Sequence, residues 1–167
     1  MIKVKFENGG KMISKHIGDS GYDVNAISYT RVSTDGQLLN KYILKDNETV
    51  SIQPHETILI GTGVFLELPQ PVDKGEYYEI IEAQVRPRSG LSLKEGLVAQ
   101  LGTIDCGYKE EVGVILHNNS AYWKTIVKGD RIAQIVFNPI IKPKELIEIT
   151  NLSESDRNGG FGSTGKQ

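Results

Sequence analysis

Residues 97–116 read LVAQLGTIDCGYKEEVGVIL. Two apolar runs, 97–101 and 112–116, flank a stretch punctuated by Gly102 and Gly107, and each run is too short for a helix of ordinary length. Short strands joined by tight connections are the expectation. The pattern continues outward in both directions, with comparable runs at 57–60, 64–68, 77–85, 132–137 and 146–149. Along 167 residues, 18 glycines and 6 prolines keep every segment brief. At the start of the chain Ile2, Val4 and Phe6 alternate with Lys3, Lys5 and Glu7, the period of a strand with one buried face. At least eight strands are expected, and no window of about 12 residues carries a sustained helical stripe. The best helical stretch is 92–95, stopped by Gly96. The fold expected is all-β, its edges closed in a barrel or jelly roll.

The length suits one domain. Lys and Arg number 19 against 21 Asp and Glu, a net charge of −2, and no basic block offers a docking face for nucleic acid. With 38% hydrophobic and 24% charged residues the composition is that of a globular chain, and no apolar run approaches membrane-spanning length. The opening MIKVKFENGGK lacks a signal-peptide core, so a cytoplasmic location is expected. Cys106 is a lone cysteine, which excludes an intrachain disulfide, and no Cys/His cluster has zinc-ligand spacing. The expected organisation is a β domain over 1–150 followed by a glycine-rich arm over 151–167. Within the domain, 28–48 reads as a surface hairpin turning at Asp35-Gly36.

Five stretches hold the residue types that bind anions or move protons. Residues 160–166, GFGSTGK, match the core of a phosphate-binding P-loop, but Gln167 stands where a Mg²⁺-binding hydroxyl is required. Two readings remain for this tail: an unstructured end, or a lid whose glycine N–H groups and Ser163 and Thr164 hydroxyls meet an anion while Phe161 stacks on a ring. The lone aromatic among glycines favours the lid. Arg86-Pro87-Arg88-Ser89-Gly90 sets two guanidinium groups beside a turn, an ordinary way to leave a strand and equally an anion site. Residues 102–108 present Asp105 and Tyr108; Asp105 either caps its own turn or acts as a general base on a water. Ser20-Gly21-Tyr22-Asp23 and the run KGDRIAQ at 128–134 each place a polar side chain beside a glycine turn.

Taken in this order, RSGLSLKEGL, GTIDCGY, HNNS, KGDRIAQ and GGFGSTG resemble the motifs of the trimeric dUTPase family over residues 21–165. The resemblance implies a jelly-roll homotrimer with active sites at its subunit interfaces, cleaving dUTP to dUMP and pyrophosphate. It assigns Asp105 as the general base on the attacking water and sets Tyr108 against the deoxyribose, leaving no room for a 2′-hydroxyl. Backbone groups at Ala99, Gln100, Leu101 and Gly102 would read the uracil edge, with Thr103 and Ile104 among the substrate contacts. Arg88, Ser89, Gly90 and Gln134 would hold phosphates, and Asp23 would approach a Mg²⁺ through its water shell. Arg157, Gly162, Ser163 and Thr164 would bind the γ end and Phe161 would cover the base.

This chain departs from the pattern in three places. Arg157 precedes Phe161 by four residues rather than five, Lys109-Glu110-Glu111 follows Tyr108 where glycine is common, and 65 positions separate Asp23 from Arg88. The excess is expected in 28–48 and 73–82, as solvated decoration or as a surface for a regulatory protein partner. A dCTP deaminase or bifunctional enzyme of the same superfamily, and a nucleotide-switched binding module, are the competing functions; Ile104-Asp105-x-x-Tyr108 favours the pyrophosphatase over the deaminase, and Asp105 together with the Phe161 tail argues against the binding module.

Overall fold

A computed structural model describes residues 1–153. They form fourteen strands and one short helix: β1 (Lys3–Phe6), β2 (Met12–Ile13), β3 (Tyr22–Asn25), β4 (Ser28–Thr30), β5 (Tyr42–Ile43), β6 (Thr49–Ile52), β7 (Thr57–Glu67), β8 (Val72–Asp73), β9 (Tyr77–Arg86), α1 (Ser89–Glu95), β10 (Leu97–Ala99), β11 (Gly102–Ile104), β12 (Glu111–Asn118), β13 (Lys124–Val127) and β14 (Arg131–Pro143). One six-stranded sheet runs β10-β12-β7-β4-β5, with β1 joining β7. The other runs β11-β9-β14-β3-β2, with β8 on β9, and β13 pairs with β6 in a two-stranded ribbon. Every strand pairing is antiparallel. The two sheets close over one apolar core including Ile58, Ile60, Val64, Ala83, Val85, Val114, Leu116, Ala133 and Ile135, which is the jelly-roll form.

The runs 57–60 and 64–68 belong to one long strand, because β7 continues through Gly61 and Gly63. Gly63 has φ +65°, and a Cβ there would lie 2.3 Å from the Glu7 carbonyl oxygen, so only glycine lets residues 7–10 pass so close. The expected one-sided burial of β1 is not found: Lys3–Phe6 is exposed throughout at the margin of the sheet, and only Ile2 packs on the core. The run 146–149 is not a strand either; Leu146, Ile147 and Ile149 stand in solvent. The helix begins three residues earlier than expected and ends, as expected, at Gly96, whose φ is +68°.

The hairpin of 28–48 turns at 33–37, where Gly36 has φ +85° and the Ser33 N–H donates to the Gln37 carbonyl. Its base is not peripheral, however. Ser28 and Leu44 are buried, and β4 is an interior strand between β7 and β5. Much of 73–82 likewise lies in a ladder, since β9 pairs with β14 from Tyr77↔Pro143 to Arg86↔Gln134.

HNNS serves the fold. The buried Asn118 amide directs its Nδ2 to the carbonyls of Gln53 (2.9 Å) and Tyr122 (2.8 Å), with Ile52 at 3.2 Å, and its Oδ1 accepts from the Ser120 hydroxyl at 2.7 Å. Asn118→Ala should therefore cost about 3 kcal/mol of unfolding free energy, because buried carbonyls lose their donor. Urea unfolding measures it; a midpoint equal to the wild type would contradict this role.

Candidate active site

The lateral order of strands brings one set of polar side chains together. Asp23 on β3 lies opposite Gln134 on β14, and Gln134 lies opposite Arg86 on β9. Past Arg86, Pro87 ends the ladder and Arg88 adopts an extended conformation (φ −95°, ψ 122°) just before α1. Its Nε donates to Asp23 Oδ1 at 3.0 Å, while Arg131 Nη1 donates to Asp23 Oδ2 at 2.9 Å. Arg88 Nη1 also reaches the Arg131 carbonyl at 2.9 Å, and Gln134 Nε2 donates to the Pro87 carbonyl at 3.1 Å. Two guanidinium groups thus share one carboxylate, leaving an excess of one positive charge. A hollow of about 460 Å³ opens beside them, lined by Lys15, Ser20, Gly21, Asp23, Arg131 and Gln134. Gly21 leaves room for the Gln134 amide, because a Cβ would stand 2.6 Å from Gln134 Oε1 and push that side chain aside. Asp19 lines the hollow as well; it accepts the Lys15 and His16 N–H groups at 2.9 Å each, and these bonds, His16's foremost, hold its carboxyl below the usual carboxylate range.

Ser89 and Gly90 occupy the first turn of α1, with open space where a Gly90 side chain would be. Arg86 is not in the cluster; its Nε and Nη2 both donate to Gln84 Oε1.

A second group forms at 99–108. It is not a two-stranded hairpin: β10 pairs with β12 in one sheet and β11 with β9 in the other, so Gln100 and Leu101 cross between the sheets. Ala99 and Ile104 are buried anchors at either side of the exposed crossing. A hollow of about 200 Å³ lies against Gly102, Thr103, Ile104, Tyr108 and Gly113. The Tyr108 hydroxyl donates to the Glu111 carbonyl at 2.9 Å, and burial, then Glu110 and Glu111, push its phenol above the ordinary value of 10.0. The Asp105 carbonyl accepts the Tyr108 N–H at 3.0 Å, whereas its exposed carboxylate has no hydrogen-bond partner among the described residues. The carboxylate does not cap its own turn.

The two groups are far apart within one chain. β3 and β11 are separated by β14 and β9, three strand spacings or roughly 14 Å, and Asp105 lies four residues along from the Asp23 row, roughly another 14 Å. Arg131 is the residue that sequence reading passed over. Its signal was present in KGDRIAQ, where it opens the strand three positions before Gln134. Arg157, Phe161, Gly162, Ser163 and Thr164 lie outside the described residues.

A jelly roll with a cationic cradle on one sheet and a tyrosine-walled hollow where the two sheets meet defines a β-barrel protein suited to a phosphorylated ligand with a ring. The dUTPase family profile matches residues 41–165. A deoxyuridine 5'-triphosphate nucleotidohydrolase of Hydrogenobaculum sp. (strain Y04AAS1) is 46% identical over 71% of this chain and 78% of its own length. That of Gloeothece citriformis is 38% identical over 90% of this chain and 85% of its own. Among solved structures, the Staphylococcus bacteriophage 80alpha dUTPase with dUPNHPP superposes with a TM-score of 0.73 at 27% identity, covering 99% of this chain and 98% of that one. A mutant dUTPase from phage phi11 of S. aureus, described for its structural Mg(II) ion, gives 0.65 at 25%, covering 90% and 97%. The chain belongs to the dUTPase family.

The raised Tyr108 phenol has a sign that can be checked. Its folded value lies above the unfolded 10.0, so its contribution to stability is complete below pH 10 and is lost as pH rises through the folded value. Ultraviolet difference titration should show late-ionising phenols, Tyr42 being raised as well by its bond to Glu48, and Tyr108→Phe should remove one of them. An unchanged late fraction in that variant would refute the assignment.

Proposed function

We propose that the chain hydrolyses dUTP to dUMP and pyrophosphate in sites that each draw on two copies of it, assembled as a trimer. One observation carries this reading beyond family membership: the free Asp105 carboxylate and the arginine cradle are too far apart to serve one nucleotide within one chain. A second copy supplies the missing half.

In this reading one copy binds phosphate through Arg88, Ser89, Gly90 and Gln134, with Arg131 and Asp23 fixing the cradle's shape. The neighbouring copy receives the uridine. Its crossing strand at Ala99, Gln100, Leu101 and Gly102 presents backbone donors and acceptors to the uracil edge, beside Thr103 and Ile104, and Tyr108 packs on the sugar. Asp105 takes a proton from water as that water attacks the α-phosphorus; the bond to the β-phosphate bridging oxygen breaks and pyrophosphate leaves. No covalent protein intermediate is required. The same reading assigns contacts with the γ end and the base to Arg157, Phe161, Gly162, Ser163 and Thr164, which lie outside the described residues.

Mg²⁺ fits the donor set. Both Asp23 oxygens already accept from guanidinium groups, which leaves lone pairs for metal-bound water rather than for direct coordination. When bound, the ion neutralises phosphate charge as the leaving group departs. The product dUMP serves thymidylate synthesis, and removal of dUTP keeps uracil out of DNA. In this reading the chain acts in the cytoplasm.

Asp105→Asn should lower kcat by about a thousandfold while leaving dUPNHPP affinity within about threefold. Pyrophosphate release assayed against dUTP, dCTP, dTTP and UTP measures this, and ammonia from dCTP would shift the assignment to a deaminase. Shared sites predict complementation: Asp105→Asn and Arg88→Ala chains, each inactive alone, regain about a quarter of wild-type activity when refolded together, because each site draws its halves at random. No recovery would confine the site to one chain.

A further inference from the structure

Two carboxylates follow Tyr108, and the fold treats them differently. Glu110 points into solvent, whereas the Glu111 side chain is only 16% exposed at the first residue of β12. Its Oε1 accepts the Gly63 N–H at 2.6 Å and its Oε2 pairs with Lys41 Nζ, from the hairpin of 28–48. The niche is built by glycine. A Cβ on Gly61 would stand 2.8 Å from Glu111 Oε1, and Gly63 presents its N–H from a φ of +65°. Here the ladder between β12 and β7 shifts register between Glu111 and Gly113, and the buried Thr62 hydroxyl donates to the Val112 carbonyl at 2.7 Å. The start of β12 is therefore gripped at a bulge, where strand pairing alone holds it least.

What the grip fixes is the Glu111 carbonyl, the acceptor of the Tyr108 hydroxyl. Tyr108 walls the hollow together with Gly102 and Thr103, it follows a turn whose Cys106 packs on the core, and its one side-chain hydrogen bond among the described residues is the one to the Glu111 carbonyl. We infer that Glu111, held by Lys41, is a positioning residue that sets the Tyr108 ring and thereby the preference for a deoxyribose over a ribose. The inference rests on the reading above that Tyr108 faces the sugar. It gives the 28–48 hairpin a part in substrate choice through one ammonium group. Lys41 is half-exposed while Glu111 is largely enclosed. Removing Lys41 leaves an enclosed carboxylate with one N–H donor, and the cheaper arrangement is for that carboxylate to turn toward water and release Gly63. A ring that moves by a fraction of an ångström admits a hydroxyl.

The test measures kcat and KM for dUTP and UTP in the wild-type protein and in Lys41→Met, Lys41→Arg, Glu111→Gln, the Lys41→Met/Glu111→Gln double variant and Tyr108→Ala. Lys41→Met and Glu111→Gln should each lower the ratio of kcat/KM for dUTP over UTP by about tenfold. KM for dUTP should rise while its kcat stays within about twofold. The double variant should be no worse than either single change, since both break one pair, and Lys41→Arg should restore the ratio. Lys41 is exposed enough that its replacement keeps the fold, which thermal unfolding checks. If Tyr108→Ala lowers the ratio but Lys41→Met and Glu111→Gln leave it at the wild-type value, the inference fails and the role of Tyr108 stands. If Tyr108→Ala leaves the ratio unchanged, Tyr108 does not read the sugar and both fall together.

Discussion

Asp23 holds two like charges side by side, and the cationic cradle depends on it. Arg88 arrives from the end of β9 and Arg131 from the start of β14, and each guanidinium meets a different oxygen of the one carboxylate. At this separation and an effective dielectric near 20, an attractive pair is worth up to about 4 kcal/mol, and partial exposure to solvent reduces that. The gain in stability is modest. The gain in geometry is larger, because Arg88 is also tied to the Arg131 carbonyl and Gln134 to the Pro87 carbonyl. Three strands and the entry to α1 are thereby locked at one level, with donors turned toward an open hollow. A polyphosphate would meet groups already in place, so little ordering is left to be done on binding.

The topology explains why the other half of the chemistry cannot be next door. β11 is the edge strand of its sheet, and the chain leaves it at once to enter β12 in the opposite sheet. The turn between them, with Asp105 at its start, must therefore project from the end of the barrel. β3, carrying Asp23, is two strands further in than β9. No local adjustment brings these together without breaking the β9 and β14 ladder, whose ten pairs are the longest continuous contact in that sheet. The proposed two-copy site follows from this separation.

Much of this was legible in the sequence, for definite reasons. The short apolar runs between glycines gave the all-β reading because strands of four to eight residues need no more than that. The Asp35-Gly36 turn and the Gly96 stop were read correctly because a positive φ leaves a residue signature. Two expectations failed where composition carries no information about partners. Leu146, Ile147 and Ile149 have strand composition, but no strand among the described residues pairs with them, and β1 alternates as a half-buried strand should while its side chains stay exposed among the described residues. The path at 99–104 was not legible for a related reason: adjacent strands usually pair, and only the three-dimensional structure shows β10 and β11 parting into different sheets. Arg131 was missed because one arginine at the start of a strand looks like surface charge until its carboxylate partner is known.

Superposition with the phage 80alpha enzyme at a TM-score of 0.73 and only 27% identity poses a physical question, namely what such a barrel can change. The steric map gives a partial answer. Gly10, Gly21, Gly61 and Gly63 each sit where a Cβ would come within 2.6 Å or less of another atom, and two of those contacts are with backbone that cannot step aside. Substitution at Gly10 or Gly63 displaces the chain itself, whereas at Gly21 and Gly61 it displaces the side chains of Gln134, Ser28 and Glu111. The crossing at 99–102 places no such demand on its side chains; Gln100 and Leu101 are exposed. Constraint accordingly concentrates in a few glycines and in charged anchors such as Asp23 and Glu111. The surface between them, including the tip of the 28–48 hairpin, can vary as long as the ammonium group that reaches Glu111 still arrives.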